Sequence, residues 1–433
     1  MISTYQQLLE EATLSFKQLS QKSHAIGTLR LVVALAILVS IYFAFREKSW
    51  LVAAIILFLL ILFFYLVVIH KKINLFRKIA QEKIAINEKE IAFLDKNQFF
   101  SANGEEFQDD THPYSYDLDI FGAHSLYQYI NRTHTFLGRK SLAAHFLSPK
   151  ADEIPHLQAV TQELSTEEHL RWRQEFMATT ALIGDTQGFY EQMEQWAARE
   201  EKAFPRLLKF FLWGASLLVI LSLIAGYGWG YEGFKVVCNI LITINLFVFL
   251  TFIGKMQKSK LGFENTYHLL YTFKRSITLI EKATQFKSAR FELLQEKLHE
   301  GDESASRSIS QLSRLLDDLD NVGNILVSIP LNILTFYHLH TYRKLLKWKQ
   351  AHAKHIALWL SVIAEVEVLH SFANFSYNNP SFAYPTLNDQ QLISFESLGH
   401  PLIPAKGRVC NTISFASHRF VILTGSNMSG KST

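Results

Sequence analysis

The stretch Gly425-Ser-Asn-Met-Ser-Gly-Lys-Ser-Thr433 reads G-x-x-x-x-G-K-S-T, the spacing of a phosphate-binding loop. Its chemistry is anion capture. Successive backbone N–H groups from Gly425, Ser426, Asn427, Met428, Ser429 and Gly430 wrap the α- and β-phosphates of a nucleotide. The helix that follows adds the positive end of its dipole. In this pattern Lys431 reaches the β- and γ-phosphates, the Ser432 hydroxyl ligates Mg²⁺, and Thr433 completes the motif. The expected ligands are therefore ATP and Mg²⁺. No Ser/His/Asp or Cys/His set points to a competing chemistry, so no catalytic side chain is assigned.

A phosphate loop needs a strand before it and a helix after it. Arg419-Phe-Val-Ile-Leu-Thr424 is apolar and β-branched, as a buried strand entering the loop must be. Residues 392–395, 412–415 and 420–424 read as strands, and Pro380 and Pro385 mark a linker before them. The chain changes class to α/β near residue 386. Everything upstream reads as helix.

Of the 433 residues 34 are Phe, and the net charge is only +4. That charge gives no case for a protein that coats nucleic acid. With a positive mean hydropathy, the composition points to membrane segments. Residues 28–45 are apolar apart from Arg30, and residues 50–69 carry no charge. Two runs of this length joined by Arg46-Glu-Lys-Ser49 predict a transmembrane helical hairpin. The pattern recurs at 210–229 and 236–253, with Trp213, Tyr227, Trp229 and Tyr231 near the ends, where aromatic rings suit the headgroup zone. Four spans are expected. Residues 322–337 are apolar too, but Asn324, Pro330 and Asn332 interrupt them, so they read as a buried core helix rather than a fifth span.

Basic residues flank the hairpins. Lys17, Lys22, His70, Lys71, Lys72, Arg77 and Lys78 lie outside the first, and Lys202, Arg206, Lys209, Lys255, Lys258 and Lys260 outside the second. The positive-inside rule then puts both termini and the middle segment in the cytoplasm of an inner or plasma membrane, where ATP is found. The polar start fits no cleavable signal peptide. Cys238 and Cys410 stand far apart and predict neither a disulfide framework nor a metal site.

Between the hairpins, residues 101–119 read as a loop. The Asn131/Thr133 pair is expected to cap a helix over 139–147 that stops at Ser148-Pro149. Farther on, Leu270, Phe273, Ile277 and Ile280 recur at helical spacing and predict an apolar seam. Residues 300–308 break the pattern, and a last long helix is expected over 343–372. The segments so defined are 1–27, 28–69, 70–205, 206–254, 255–385 and 386–433.

The loop, written Thr424-Gly-Ser-Asn-Met-Ser-Gly-Lys-Ser-Thr433, resembles that of the MutS family of DNA mismatch-repair ATPases, and the Asn427-Met428 pair carries most of the likeness. Gly399-His-Pro-Leu-Ile403 resembles the family's R-H-P-hydrophobic element, with Gly399 in place of Arg. Ser371-Phe-Ala-Asn-Phe375 to Tyr384-Pro385 is similar to the segment joining the family's core helices to its ATPase domain. Leu118-Asp-Ile-Phe-Gly122 and Asn131-Arg-Thr-His-Thr-Phe-Leu-Gly138 resemble the start of its helical lever, so the likeness covers 117–170 and 362–433.

With the two transmembrane hairpins read from hydropathy, the resemblance implies a mainly α fold that adds a long-helix lever or core and the first strands of an α/β P-loop ATPase domain. It implies ATP hydrolysis by a full-length protein, with homodimerisation through the ATPase domains. The carboxylate that holds Mg²⁺ and the glutamate that activates water are expected beyond Thr433, so residues 1–433 by themselves are not expected to turn over ATP. DNA is a partner by family analogy alone. The family's mismatch-reading and connector domains have no counterpart, because a membrane hairpin takes their place. The competing expectation is a nucleotide-switched membrane scaffold or signalling protein with no DNA role.

Four further patterns have plainer readings. Phe189-Tyr-Glu191 matches the family's mismatch-wedge triplet, but it sits in a helical context after the lever start. His338, His340, His352 and His355 lack a Cys or carboxylate to complete a metal set. The basic run Arg343-Lys-Leu-Leu-Lys-Trp-Lys349 reads as a solvated helix face. The glycosylation triplets at Asn131 and Asn374 are discounted by the cytoplasmic topology.

Overall fold

The computed structural model describes residues 1–433 apart from 48, 185–186, 202–203, 260–265, 300–302, 321, 323–324, 390–391, 405, 416–421, 423 and 425–433. Its helices are α1 (Ile2–Glu47), α2 (Trp50–Lys96), α3 (Leu126–Ile130), α4 (Phe136–Leu147), α5 (Ile154–Leu164), α6 (Glu167–Ala181), α7 (Gln187–Ala198) and α8 (Arg206–Leu223). There follow α9 (Glu232–Lys258), α10 (Thr266–Glu281), α11 (Ala289–Lys297), α12 (Ala305–Asp320), α13 (Ile325–Thr335), α14 (Tyr337–His352) and α15 (Ile356–Asn378). Two short strands, β1 (Ser394–Leu398) and β2 (Asn411–Ser414), complete the described elements. The chain divides into two units that are discontinuous in sequence. One holds residues 1–133, 139–178 and 367–433, and the other 134–138 and 179–366.

In the first unit α1 and α2 pack antiparallel along their length. At 46 and 47 residues, each is about 70 Å long at ~1.5 Å per residue. A hydrocarbon layer takes up only about 30 Å of that. The polar N-terminus is therefore not a separate segment but the continuation of α1. Its Tyr5, Leu8 and Ala12 are buried at helical spacing. Ser23 donates to Asn74 Oδ1 at 2.8 Å, tying the two helices beyond their apolar parts.

Of the most apolar windows of α1 and α2, only 6 % of residues are buried, and the figure is 28 % for 207–228 and 17 % for α9. Apolar helices this long and this uncovered are made for lipid, and the chain is membrane-associated. The stretch Tyr337–Asn378 is also long and apolar, but 72 % of its window is buried in protein. Its apolar residues fill cores. It is also not one α-helix, because a 3₁₀ turn at Ala353–His355 separates α14 from α15.

In the second unit α8 passes through a π-helical turn, Ile224–Gly228, before α9 begins. A Cβ on Gly226 would lie 2.7 Å from the Lys235 backbone nitrogen, so this close crossing requires glycine. α13 packs on α8 and α9. Its 11 residues span about 16 Å, too short to cross a bilayer. The expectation of a core helix needs refining, because what covers α13 is the lipid-type hairpin. Phe336 adopts φ +50° and ends the helix. The Ile333 carbonyl accepts instead from Asn245 Nδ2 at 2.7 Å. Asn332 bridges the break, donating to Ser328 O at 2.6 Å and accepting from His338 N at 3.0 Å.

Leu270, Phe273, Ile277 and Ile280 are buried on α10, which packs on α12 as the spacing predicts. Phe189 is fully buried beside them, stacked on Phe273 with ring centroids 5.6 Å apart. The F-x-E triplet is thus a core anchor. Phe189→Ala is expected to lower unfolding stability by about 3–5 kcal/mol, measured as the loss of thermal midpoint of the purified protein in detergent. A midpoint like that of the wild type would contradict this packing role.

Candidate functional site

The sequence-assigned phosphate loop, Gly425, Ser426, Asn427, Met428, Ser429, Gly430, Lys431, Ser432 and Thr433, lies outside the described residues. Of the strand expected at 420–424 only Ile422 and Thr424 are described. Neither is assigned to a strand, and Ile422 is 71 % exposed. Near the other two expected strands lie β1 and β2, an antiparallel pair with Ser394 opposite Ser414 and Phe395 opposite Ile413. The register slips before Leu398, where Ser397 takes φ +53°.

The Gly-His-Pro element leaves β1. Gly399 has no side chain because Arg408 fills the space: a Cβ there would stand 2.3 Å from Arg408 Cδ. The Arg408 guanidinium donates to Ile403 O at 2.6 and 2.9 Å and to Pro401 O at 3.2 Å, and lies 4.9 Å over the Phe382 ring. The aliphatic part of Arg408, nine residues downstream, thus takes the space beside Gly399. The linker before β1 is pinned as well. Gln158 donates to Pro385 O at 2.8 Å, Tyr384 to Ser376 Oγ at 2.8 Å, and Phe382 packs on Phe375 at 5.7 Å.

Behind the linker, the last turns of α15 enter a buried polar network. Glu90 of α2 pairs with Arg132 and accepts from Asn378 Nδ2 at 3.1 Å. Tyr5 of α1 donates towards Asn374 Oδ1 and Asn378 Oδ1, both at 3.1 Å. Arg173 of α6 donates to Asn374 Oδ1 at 3.4 Å and lies 5.4 Å over the Tyr377 ring. Its Nε and Nη2 have no hydrogen-bond partner among the described residues. Beside these groups Asn87 and Gln174 exchange amide hydrogen bonds, and Lys83 pairs with Glu175. Burial, reinforced by the Glu90 carboxylate, raises the Tyr5 hydroxyl far above the usual phenol range, so it stays a donor. Burial also lowers Arg173, opposed by Tyr5, Tyr377 and Glu90. For Arg132 burial works against the charge, but Glu90 outweighs it and the guanidinium is held above its ordinary value.

These residues join the two stretches that carry the MutS resemblance. Arg132 N donates to Ser371 Oγ at 3.1 Å, and Ile120, Phe121, Tyr127, Leu142 and Ala143 share one core with Val368. The local capping differs from expectation. Thr135 caps α4, accepting from Gly138 N at 3.0 Å. Asn131 instead folds back in an Asx turn, accepting from Thr133 N and Oγ1 at 2.9 and 2.7 Å. Sequence reasoning quoted Arg132 and Asn374 within motifs but missed Tyr5, Glu90, Arg173 and Asn378. None of the four stands in a recognisable motif, and their partners lie far away in sequence.

The other candidates resolve into packing. His352 and His355 lie against Trp359, His340 against Trp213, and His338 is buried beside Asn332. Among the described residues no group of three potential metal ligands forms. Leu345, Leu346, Trp348 and Lys349 of the basic run are buried, which corrects the solvated-face reading: only Lys344 and Lys347 of its cations are exposed. No family model, curated protein or solved structure matches this chain.

Removing one partner of a buried ion pair strands the other charge. Glu90→Ala should therefore destabilise the protein by about 3–5 kcal/mol. The double variant Glu90→Leu/Arg132→Met should recover most of that loss. Additive losses in a double-mutant cycle of detergent-solubilised protein would contradict the pairing.

Proposed function

We propose that this chain is a membrane-anchored, MutS-like nucleotide-binding protein whose P-loop takes Mg·ATP. The observation that carries the reading is the loop 425–433 itself, with Asn427-Met428 inside it and Gly399-His-Pro401 upstream. The packing of the two resembling stretches into one unit supports it. On this reading Lys431 and Ser432 bind phosphate and Mg²⁺, and hydrolysis belongs to a protein that also supplies a metal-holding carboxylate and a base. Dimerisation through the ATPase domains is the family's way of coupling nucleotide state to its helical arms. Here the Glu90–Arg132–Asn378 network gives α15 and the linker a connection to the stalk helices α1 and α2.

On this reading four spans, in hairpins α1–α2 and α8–α9, keep both ends on one side, and the basic flanks make that side the cytoplasm. A reporter fused after Asp95 should be cytoplasmic and one inserted at 46–49 should not. The reverse pattern would overturn the orientation.

A specific observation favours the second reading, a nucleotide-switched scaffold without a mismatch-repair role. Phe189, which stands where the F-x-E pattern has its wedge phenylalanine, is locked in a core. Salt-sensitive binding of duplex DNA would support the repair-related reading, and no binding at low salt would support the scaffold. A mismatch preference is not expected.

The nucleotide site is tested by Lys431→Ala in a polypeptide that continues past Thr433. Loss of a charged hydrogen bond worth ~1.5–3 kcal/mol should weaken Mg·ATP binding by about tenfold or more. Equal affinity and turnover in the two proteins would sink the assignment.

A further inference from the structure

At the end of the α8–α9 hairpin away from its π turn, the second unit holds an open cleft of about 780 Å³. Its floor is apolar, made by Phe204, Pro205, Phe252 and Leu346. The Phe204 and Phe252 rings lie 6.1 Å apart. Its rim is cationic: Arg199, Lys255 and Lys258 all line the cleft and are exposed.

The one carboxylate in the lining, Glu201, is already engaged. It accepts from Ser259 Oγ at 2.7 Å, from Tyr342 OH at 3.3 Å and from Lys349 Nζ at 3.2 Å. Arg199 is anchored by a 2.9 Å bond to the Lys258 carbonyl, which fixes its guanidinium at the C-terminal end of α9. Lys255 lies over the Phe252 ring, its Nζ 4.8 Å from the centroid. Neither Lys255 nor Lys258 has a carboxylate in ion-pair reach among the described residues. Three cations thus surround an apolar trough with the local acid neutralised.

The trough sits where the hairpin's apolar surface ends. Leu207, Phe210 and Phe247 of α8 and α9 are largely exposed, and the cations follow the apolar run directly. A bound molecule must be apolar on one side and anionic on the other. We propose that this cleft is a binding site for the phosphate headgroup of an anionic phospholipid, with Lys255 and Lys258 contacting the phosphate and Phe204 and Phe252 contacting the glycerol and acyl end. The proposal rests on the membrane reading above.

The test is native mass spectrometry of the full chain released from vesicles containing equal phosphatidylglycerol and phosphatidylcholine, paired with flotation of the same samples. Wild type should float and retain phosphatidylglycerol about tenfold over phosphatidylcholine. Lys255→Gln/Lys258→Gln should still float and lose that preference, and Lys255→Arg/Lys258→Arg should keep it. Equal retention of both lipids by floating wild-type protein, or an unchanged preference in the Gln variant, overturns the site and leaves the membrane reading intact. Wild-type protein that fails to float overturns both. Displacement of the lipid by millimolar glycerol 3-phosphate assigns the cleft to a free phosphate anion and overturns the lipid proposal.

Discussion

Burying a carboxylate and a guanidinium is tolerable only if each finds the other and the remaining donors and acceptors are met. Glu90 and Arg132 satisfy that condition with groups from three other stretches of chain. Asn378 donates to Glu90, Tyr5 donates to Asn378 and Asn374, and Arg173 approaches Asn374 from α6. The Arg132 guanidinium also lies 4.7 Å over the Phe93 ring. None of these contacts is local in sequence, so the network fixes how the first hairpin's stalk meets α15. The linker to the strands begins at the next residue, Asn379, which is held by Tyr129 and by the Phe375 carbonyl. Whatever moves the segment beyond the linker pulls on a joint whose charges cannot be separated cheaply.

The helices of the first hairpin face two solvents along one continuous rod. The halves next to the turn expose leucine, isoleucine and phenylalanine, while the far ends carry Tyr5, Leu8, Ile79 and Phe93 into a protein core. The second hairpin uses a different device. It carries a short proline-containing helix on its flank, and Asn245 supplies the hydrogen bond that the Ile333 carbonyl loses where α13 stops. A buried asparagine in an otherwise apolar span is a sign that something packs there.

Much of the architecture was legible in sequence, because hydropathy and helical period report the faces that must be buried or lipid-exposed. The long apolar helices, the α10 seam and the stop before Pro149 all follow from such patterns. The misreadings have physical reasons too. The basic run 343–349 alternates cations with Leu345, Leu346 and Trp348 at helical spacing, so half of it turns inward and Lys349 ends against Glu201 and Trp196. The cap of α4 came from Thr135 because Asn131 had a closer backbone to bond. The network of Glu90, Arg132 and Arg173 could not be read, since single charges show their partners only after distant helices meet. The chemistry of the loop at 425–433 is the opposite case: its residue types and spacing carry the whole inference.

The most direct test is photoaffinity labelling of the membrane-embedded protein with an azido-ATP analogue in Mg²⁺. The account predicts saturable, Mg²⁺-dependent labelling that maps to the peptide containing residues 425–433 and is competed by unlabelled ATP. Labelling confined to other peptides, or none at millimolar nucleotide, would contradict it.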